Sequence, residues 1–516
     1  MCSIIGTYWF SPVTDDTLTC AALRRALGRL QRRGPDQKYF ARVDDRCILA
    51  GNRLIIRGDS NVGRLPFRDL GVVATYNGEI YNSRRRVVSE SADGSAMIPA
   101  YREFGEAFAS QLDGEFAIAL WDEKLGQLLL ARDAFGTKPL YFGFDKTRLV
   151  WASSAYAVAE VLQRSYCRPT HGPAYQHTYA IQEPYTSFSG VWALPPSHYL
   201  VVREHTIQVS PYESWLPDSP SVKSDDEIAS ALFDSLSSRL DHSQTIAIPM
   251  SAGIDSGILT FAAEQMQIPY HVFSLIEVFD KPTVEAPYIM SRLKRLKHAS
   301  GITLVRFGDS EYGRALSELY DPCYYDSEYY DNGALLTHAV LSAIHNAGIR
   351  VIIDGSGGDE LFDGYDFRAD FYPPDQWPRA WQRTSFYSLF TTLLAYTSKV
   401  DRAGGFFSIE SRFPFLSKPI LSAALRCMDI QKKRPLRDFL LNRLSYGSPQ
   451  MPDLDGKFGF SMRGCDLPRI RSDMRAAWRK SNGITADQFD EPLPYPFLIG
   501  ASSRMVVSDN IPTGGS

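Results

Sequence analysis

The second residue of the chain, Cys2, is the first candidate for chemistry. A small residue follows Met1, so we expect Met1 to be removed, which leaves a thiol and a free α-amine on Cys2. The amine can then take the thiol proton as a general base, as it does for N-terminal threonine nucleophiles. An N-terminal cysteine alone is more often incidental than catalytic, so this interpretation depends on the residues that accompany Cys2.

Five polar motifs follow Cys2 in the N-terminal part of the chain. They occupy residues 32–36, 53–56, 76–82, 113–117 and 131–141. One of them places Asn77-Gly78 at the end of an apolar strand, and another contributes Arg53, whose guanidinium suits a carboxylate through two parallel hydrogen bonds. Seen in isolation, Asn77-Gly78 is a typical hairpin turn. The presence of Cys2 and Arg53 favours a functional interpretation.

A second group of candidates follows an apolar strand that ends at Met250. Small residues run from Ser251 through Gly253, Asp255 and Ser256, and an apolar helix comes directly after them. Small residues let the backbone approach a pyrophosphate, and the helix N-terminus provides N–H donors. The Gly-Lys-Ser/Thr ending of a Walker A loop is absent from this run. A plain strand-to-helix turn is the alternative for this motif taken alone.

An acidic, glycine-rich run at the end of a later strand supports the nucleotide interpretation. It begins with Asp354-Gly355-Ser356 and continues to Asp359 and Glu360. A second run of small and acidic residues at a strand end favours the nucleotide interpretation of the first run over a plain turn.

Together these motifs resemble the glutamine-hydrolysing asparagine synthetase family, and the resemblance covers almost the whole chain. It implies a class II glutamine amidotransferase domain of the N-terminal-nucleophile type and an adenylating domain with the PP-loop of ATP pyrophosphatases. Further blocks at 285–288, 410–416 and 457–460 match the family in order. The implied cofactors are ATP and Mg²⁺, and the implied small-molecule partners are glutamine, ATP and a carboxylate acceptor.

The resemblance also implies a role for each candidate residue. Cys2 is the nucleophile, Asn77 and Gly78 form the oxyanion hole, and Lys457 stabilises charge on the ATP phosphates, although a solvated surface lysine is the alternative for Lys457. The residues expected to bind glutamine are Arg53, Asn77, Gly78, Glu79 and Asp93, of which Asp93 lacks the glutamate that usually follows it. The residues expected to bind ATP are Met250, Ser251, Gly253, Asp255, Ser256, Leu275, Asp354 and Gly355, and those expected to hold the metal are Asp255 and Asp359.

Ser356 is the main departure from the family pattern. Asparagine synthetases usually carry glutamate there, and β-lactam-forming relatives carry tyrosine. Serine is a poor general base at neutral pH, so either another group takes the proton of the incoming amine or ammonia needs little help. Glu360 and the tyrosines of 324–330 are the candidates for that group. This departure leaves the identity of the acceptor open.

The elements that must position these residues divide the chain into two domains. Residues 1–213 contain short apolar strands, interrupted by helical stretches at 16–31 and 96–112, which predicts a layered β-rich domain. Residues 214–225 are polar and proline-bearing and are expected to be a linker. Residues 226–516 alternate helices and strands, which predicts an α/β domain with a mainly parallel sheet. The expected fold class is thus mixed α/β and α+β.

Composition limits the remaining classes. The net charge of −4 gives no footprint for nucleic acid, and neither a membrane span nor a leader is evident, so we expect a cytoplasmic location. The 7 scattered cysteines predict neither disulfides nor a zinc site. Whether the chain forms a homodimer stays open.

The sequence predicts glutamine-dependent, ATP-consuming amide synthesis. L-aspartate and other carboxylates are both candidate acceptors, and a sugar acid, a peptide or a secondary metabolite would make the enzyme a tailoring amidotransferase. Cyclisation by an internal amine and a non-catalytic regulatory homologue are the alternatives. The glutaminase residues argue against the first, since a cyclase needs no ammonia, and the intact set of candidate residues argues against the second.

Overall fold

The computed structural model describes residues 1–56, 63–82, 92–167, 183–213, 225–240, 244–325, 333–364, 392–427, 433–444, 466–481, 496 and 502–507. The strands are β1 Ser3–Trp9, β2 Gln37–Asp44, β3 Cys47–Arg53, β4 Phe67–Asp69, β5 Val72–Ile80, β6 Gly114–Asp122, β7 Gln127–Arg132, β8 Tyr141–Phe144, β9 Arg148–Ala152, β10 Val191–Ala193, β11 His198–Arg203, β12 Thr206–Pro211, β13 Ile246–Pro249, β14 Tyr270–Val278, β15 Lys281–Pro282, β16 Ala299–Phe307, β17 Val351–Ile353, β18 Glu410–Arg412 and β19 Ser503–Val506.

The α-helices are α1 Thr17–Arg29, α2 Met97–Phe104, α3 Ala155–Leu162, α4 Asp225–Arg239, α5 Ile254–Gln265, α6 Ala286–Leu293, α7 Asp309–Leu319, α8 Gly333–Asn346, α9 Gly358–Leu361, α10 Thr392–Phe407, α11 Lys418–Arg426, α12 Arg434–Asp438 and α13 Leu467–Ser481. Short 3-10 turns cover Leu30–Arg33, Asp93–Ala96 and Gly105–Gln111, and a π-helical turn covers Phe439–Arg443. None of the helices among the described residues is long and apolar enough to cross a membrane.

Two antiparallel sheets form the centre of the N-terminal domain. The first has the strand order β10-β8-β9-β1-β3-β2 and the second β19-β12-β11-β7-β6-β5-β4. Side chains alternate across each strand, so Ile4 of β1 faces the second sheet while Ile5 faces the helices on the other side. Trp121 and Leu128 of the second sheet lie in the same core as Ile4. This core holds the two sheets face to face.

Helices cover the outer faces of both sheets. Leu23 of α1 and Val158 of α3 pack in the same cluster as Ile5, and Met97 of α2 packs with Ile118 of β6 on the far side of the second sheet. The layers therefore run helix, sheet, sheet, helix. The predicted layered β-rich domain is confirmed.

The C-terminal domain is built on a parallel sheet. Strands β16, β14, β13, β17 and β18 lie side by side in that order, and each neighbouring pair is parallel. The strand order reverses between β13 and β17, and ligands of such sheets bind where the order reverses, outside the carboxyl ends of the strands. Both predicted nucleotide motifs follow these two strands.

Most predicted elements occur within a few residues of their expected bounds, with two differences. The stretch 96–112 is a single expected helix, but α2 ends at Phe104 because Gly105 adopts a φ of 61° and the chain continues as a 3-10 turn. The second difference is at the C-terminus, where β19 pairs with β12 and so adds an edge strand to the N-terminal domain. A contact between such distant parts of the chain has no local signal in the sequence.

Buried charges join the two domains. The ammonium of Lys138 contacts Glu410 Oε1 at 2.5 Å, and Arg33 forms two hydrogen bonds with Asp401. Lys138 is fully buried, and burial of an ion is costly unless its partners are well placed. Lys138 and Arg33 therefore connect the N-terminal domain to the C-terminal domain through buried ion pairs.

Candidate active sites

Cys2 lies just before β1, close to Asn77 on β5. Its backbone nitrogen donates to Asn77 Oδ1 at 3.0 Å, and its carbonyl accepts from Arg33 Nε at 2.9 Å. The fold therefore brings together Cys2 and Asn77, which are 75 positions apart in the chain. The backbone nitrogen is the atom that becomes the α-amine when Met1 is removed, so Asn77 would hold that amine beside the thiol.

Burial sets the proton affinity around Cys2. The side chain is only 8% exposed, and burial raises the pKa of the thiol even though the neighbouring amino terminus opposes that effect. Burial lowers the pKa of the Met1 amino group, which lies 3.1 Å from Glu410 Oε2. A buried thiol does not ionise readily by itself, so it needs a base such as the freed α-amine.

Asn77 presents a hydrogen-bond donor next to Cys2, and Gly78 follows it on β5. Asn77 is fully buried, and its Nδ2 has no hydrogen-bond partner among the residues that the structure describes. Gly78 has a φ of 136°, and a Cβ there would lie 1.8 Å from the carbonyl oxygen of Glu115. A buried amide donor without a partner costs free energy unless something binds it. A developing oxyanion would supply that partner.

Arg53 is the last residue of β3, and Asp93 is held against the end of β5. Arg53 Nη1 donates to Gln37 Oε1 at 3.1 Å, and Asp93 accepts hydrogen bonds from the hydroxyl of Tyr76 at 2.7 Å and the backbone nitrogen of Ile80 at 2.8 Å. A Cβ on Gly63 would lie 3.0 Å from Arg53 Nη2 and 2.4 Å from Cβ of Ala92, the neighbour of Asp93. Arg53 Nη2 and Ala92 therefore both border Gly63. The predicted roles of Arg53 and Asp93 in binding glutamine stay predictions.

The side chain of Glu79 faces the other domain. Glu79 Oε1 accepts from Arg412 Nη2 at 2.7 Å, and both residues are buried. The other carboxylate oxygen, Oε2, is buried and has no hydrogen-bond partner among the described residues, so the predicted contact between Glu79 and glutamine stays a prediction. Arg412 also accepts a hydrogen bond on its carbonyl from the backbone nitrogen of Asp354, at 2.9 Å, and so connects the strand of Asn77 to the second site.

The predicted phosphate loop lies between β13 and α5 and is tied together by its serines. Ser251 Oγ and Ser256 Oγ are 3.0 Å apart, Ser256 Oγ accepts from the backbone nitrogen of Ser251, and Ser251 Oγ accepts from that of Gly253. Gly253 precedes the first turn of α5. The loop therefore leads into a helix N-terminus, the arrangement that favours phosphate groups.

Two residues of the 285–292 region shape this loop. Glu285 Oε2 accepts from the backbone nitrogen of Ala252 at 2.9 Å, and Arg292 Nη1 donates to the carbonyls of Ser251 and Gly253, each at 2.8 Å. Glu285 falls in a block that matches the family, but Arg292 carries no local signal in the sequence. Both are buried, so they act on the loop rather than on solvent.

Asp255 and Asp359 meet on one cation, as their predicted shared role requires. That cation is the ammonium of Lys433, which pairs with Asp255 Oδ2 and lies 2.9 Å from Asp359 Oδ1. Burial opposes the charge, but both carboxylates outweigh it and raise the pKa of Lys433. The two oxygens are thus within reach of a single cation, and oxygen ligands of this kind fit Mg²⁺. Sequence reasoning did not identify Lys433.

Asp354 and Ser356 form a closed turn after β17. Asp354 Oδ1 accepts from the backbone nitrogen of Ser356 at 2.9 Å and from its hydroxyl at 2.5 Å. A Cβ on Gly355 would lie 3.1 Å from Cβ of Asp255, so this turn packs directly against the phosphate loop. Met250 is fully buried and Leu275 is 3% exposed, so both line the core at the strand ends where adenosine is expected.

Two of the residues predicted to act as a base in place of the family glutamate, Glu360 and Tyr324, form hydrogen bonds within the protein. Glu360 is buried and its Oε2 accepts from the backbone nitrogen of Gly357 at 3.0 Å, which engages that oxygen at the start of α9. The hydroxyl of Tyr324 donates to the carbonyl of Arg29 in the N-terminal domain. Tyr329, Tyr330 and Lys457 lie outside the described residues, so the predicted roles of Lys457 and these tyrosines stay predictions.

The fold and the two sites define a class of protein: an amidotransferase domain of the N-terminal-nucleophile type joined to a PP-loop domain. Family models agree with both halves, since the glutamine amidotransferase domain matches residues 1–213 and the asparagine synthase model matches residues 227–381. The chain belongs to the asparagine synthetase-like family.

Several characterised proteins are similar to the chain. "Amidase chyE" of Penicillium rubens is 30% identical and "Amidase chry2" of Gibberella zeae is 29% identical, each over 69% of this chain. The chain spans 57% of the length of these two relatives. "Asparagine synthetase B [glutamine-hydrolyzing]" of Escherichia coli is 26% identical, over 83% of this chain and 75% of that protein.

Proposed function

We propose that the chain forms amides, using glutamine as the nitrogen source and ATP to activate a carboxylate. The observation that carries the glutaminase half is the buried Nδ2 of Asn77, which has no partner among the described residues and lies on the residue that holds the nitrogen of Cys2. The ordered phosphate loop and the meeting of Asp255 with Asp359 support the ATP-dependent half.

In the glutaminase half, the α-amine of Cys2 takes the thiol proton and the sulfur attacks the side-chain carbonyl of glutamine. Nδ2 of Asn77 and the backbone N–H of Gly78 bind the negative charge that develops on the carbonyl oxygen. The protonated amine then gives its proton to the leaving nitrogen. Ammonia departs, and water hydrolyses the thioester to glutamate. Arg53 and Asp93 would hold the α-carboxylate and α-ammonium of the substrate.

In the second half, a carboxylate oxygen attacks the α-phosphorus of ATP and pyrophosphate leaves, which produces an acyl-adenylate. Ammonia then attacks the acyl carbon, and the products are an amide and AMP. Asp255 and Asp359 would hold Mg²⁺, which would supply positive charge to the leaving pyrophosphate. Ser251, Gly253 and Ser256 provide the loop and helix N-terminus for the phosphates, and Lys457 would add a further positive charge.

Two kinds of carboxylate are candidates for the acceptor of ammonia. L-aspartate is the acceptor expected of asparagine synthetases. A larger carboxylate, such as a sugar acid, a peptide or a secondary metabolite, is the second candidate, and Ser356 favours it. The hydroxyl of Ser356 is engaged by Asp354 and carries no charge, so it provides neither the length nor the basicity of glutamate. The relatives named amidases are consistent with a tailoring role.

The test is to incubate the protein with ATP, Mg²⁺, glutamine and a panel of carboxylates while pyrophosphate release and product mass are measured. We expect pyrophosphate release that depends on one carboxylate and a product with the mass of its amide. The matched control replaces glutamine with an ammonium salt, which should support the same product. Pyrophosphate release with no carboxylate dependence, or glutamine hydrolysis without any amide, would contradict the proposal.

A further inference from the structure

The contact of Lys433 with Asp255 and Asp359 is the feature of the second site that the proposed mechanism does not use. The two carboxylates come from the two nucleotide motifs, and Lys433 lies 178 positions after Asp255, immediately before α12. The lysine ammonium therefore occupies the position between the two oxygens where a metal ion would bind.

The surroundings hold this arrangement in place. Lys433 adopts a left-handed backbone conformation with a φ of 60°, which is unfavourable for a residue with a Cβ, and its backbone nitrogen donates to the carbonyl of Phe362 at 2.9 Å. A Cβ on Gly364 would lie 2.5 Å from Cε of Lys433 and 1.8 Å from Asp359 Oδ1. A Cβ on Gly358 would lie 2.2 Å from Asp255 Oδ1. Glycines at both positions leave room for the charged cluster.

The cluster remains accessible to a ligand. The side chain of Lys433 is 10% exposed, that of Asp255 is 16% exposed and that of Asp359 is 25% exposed. The lysine stem is flexible, so the ammonium can turn toward a phosphate anion bound beside it. A divalent cation entering while the ammonium stays in place would meet like charge at close range, and in a partly buried site solvent screens that repulsion only weakly.

We propose that Lys433 is an internal counter-ion that competes with the divalent metal for Asp255 and Asp359 and releases them when a phosphate-bearing ligand draws its ammonium away. The inference rests on the proposed function in one respect, the assignment of these two aspartates to the metal. It makes tight metal binding conditional on the nucleotide, so that the site does not hold a metal ion permanently.

The test measures binding of Mn²⁺, used as a probe without nucleotide, by titration of the full chain. We expect Lys433→Met and Lys433→Gln to bind Mn²⁺ at least tenfold more tightly than the parent, and Lys433→Arg to stay close to the parent because it keeps the charge. Arg434→Met is the matched control, since it removes a positive charge one position away whose described partner is Asp438. It should leave Mn²⁺ affinity unchanged.

Thermal unfolding provides a second measurement in case the neutral variants fold poorly. Mn²⁺ should raise the melting temperature of Lys433→Met, because it replaces the missing cation, and should have little effect on the parent. Addition of Asp359→Asn to Lys433→Met should remove the gained Mn²⁺ affinity. Neutral variants that bind Mn²⁺ no more tightly than the parent, or that Mn²⁺ does not stabilise, would overturn the inference.

These measurements also separate the inference from the proposed function. Metal binding to the variants requires no carboxylate acceptor and no glutamine. A chain that shows the expected Mn²⁺ competition but activates no carboxylate would contradict the proposed reaction and retain the role of Lys433. A chain that makes an amide but shows no Mn²⁺ competition would support the proposed reaction and contradict the role of Lys433.

Discussion

The proposed glutaminase site and the proposed nucleotide site differ in how their polar groups are paired. Around Cys2 the described structure leaves a neutral donor, Nδ2 of Asn77, without a hydrogen-bond partner among the described residues, and this donor lies on a buried strand. Around the phosphate loop the groups are ions, and the ammonium of Lys433 balances the carboxylates of Asp255 and Asp359. A neutral donor can be left without a partner at modest cost, whereas an unpaired buried charge cannot.

This contrast matches the charge that each proposed reaction presents to its site. Developing negative charge in glutamine hydrolysis is small and local, so two donors can meet it. ATP, the substrate proposed for the second site, carries a large charge, so that site would need cations that come and go with the ligand. The following predictions test this difference.

The largest effect is expected for Cys2→Ala. Removal of the nucleophile should lower glutamine hydrolysis by about 10⁴-fold or more, because no other described group can form the thioester. Synthesis supported by an ammonium salt should continue, since the second site is unchanged. The measurement is glutamate release compared with amide formation from ammonium. Hydrolysis of glutamine at the parental rate would show that Cys2 is not the nucleophile.

Asp359→Asn should reverse that pattern. It removes one negative charge from the metal-binding pair, and we expect acyl-adenylate formation to fall by about 10³-fold while glutamine hydrolysis stays within a few fold of the parent. Carboxylate-dependent pyrophosphate release measures the first and glutamate release the second. Unchanged pyrophosphate release would remove Asp359 from the metal site.

Asn77→Asp tests whether the first site depends on a donor. Aspartate keeps an oxygen that can accept from the nitrogen of Cys2 but replaces Nδ2 with a second acceptor. Glutamine hydrolysis should fall by about 10² to 10³-fold, the usual effect of losing one oxyanion donor. Asn77→Ala is the comparison, because it removes both atoms. An aspartate variant with parental hydrolysis would show that Nδ2 has no catalytic role.

Parts of both sites were predictable because they depend on local patterns. Small residues after β13 and an acidic run after β17 mark the ends of parallel strands, and the strand periodicity around Asn77 located β5. Lys433, Arg292 and the contact between Glu79 and Arg412 have no such pattern, since their partners are set by tertiary packing. The pairing of β19 with β12 escaped prediction for the same reason.

A buried carboxylate at the boundary between the two domains predicts that the stability of the protein depends on pH. Glu115 of β6 accepts from the backbone nitrogen of Phe413, and burial raises its pKa from 4.5 to about 7 despite the nearby Lys138 and Arg239. The folded state then binds a proton that the unfolded state has released, so this residue makes stability fall as pH rises from 4.5 through 7.

The pKa difference of about 2.5 multiplied by about 1.4 kcal/mol per unit gives an expected size of about 3.5 kcal/mol. Chemical denaturation should be measured for Glu115→Gln and the parent at pH 4.5 and at pH 8. The free energy of unfolding of the variant minus that of the parent should be larger at pH 8 than at pH 4.5 by that amount. Glutamine keeps an acceptor for Phe413 and cannot ionise. A stability difference that is constant between the two pH values would contradict the raised pKa.

The smallest effect is expected for Ser356→Ala, and it decides whether this position governs specificity or catalysis. The hydroxyl of Ser356 donates to Asp354 Oδ1, but the backbone nitrogen of Ser356 donates to the same oxygen and remains after the substitution. One lost hydrogen bond contributes about 0.5 to 1.5 kcal/mol, which is roughly a factor of ten in rate at most.

Amide formation by Ser356→Ala should be measured alongside the response of the parent to aspartate and to bulkier carboxylates. We expect a mild loss in the variant and a preference of the parent for an acceptor larger than aspartate or one with its own negative charge, because serine leaves room where glutamate would stand. A loss of several orders of magnitude, or clear selectivity of the parent for aspartate, would place Ser356 in the chemistry and make the second site an aspartate site without the usual acid.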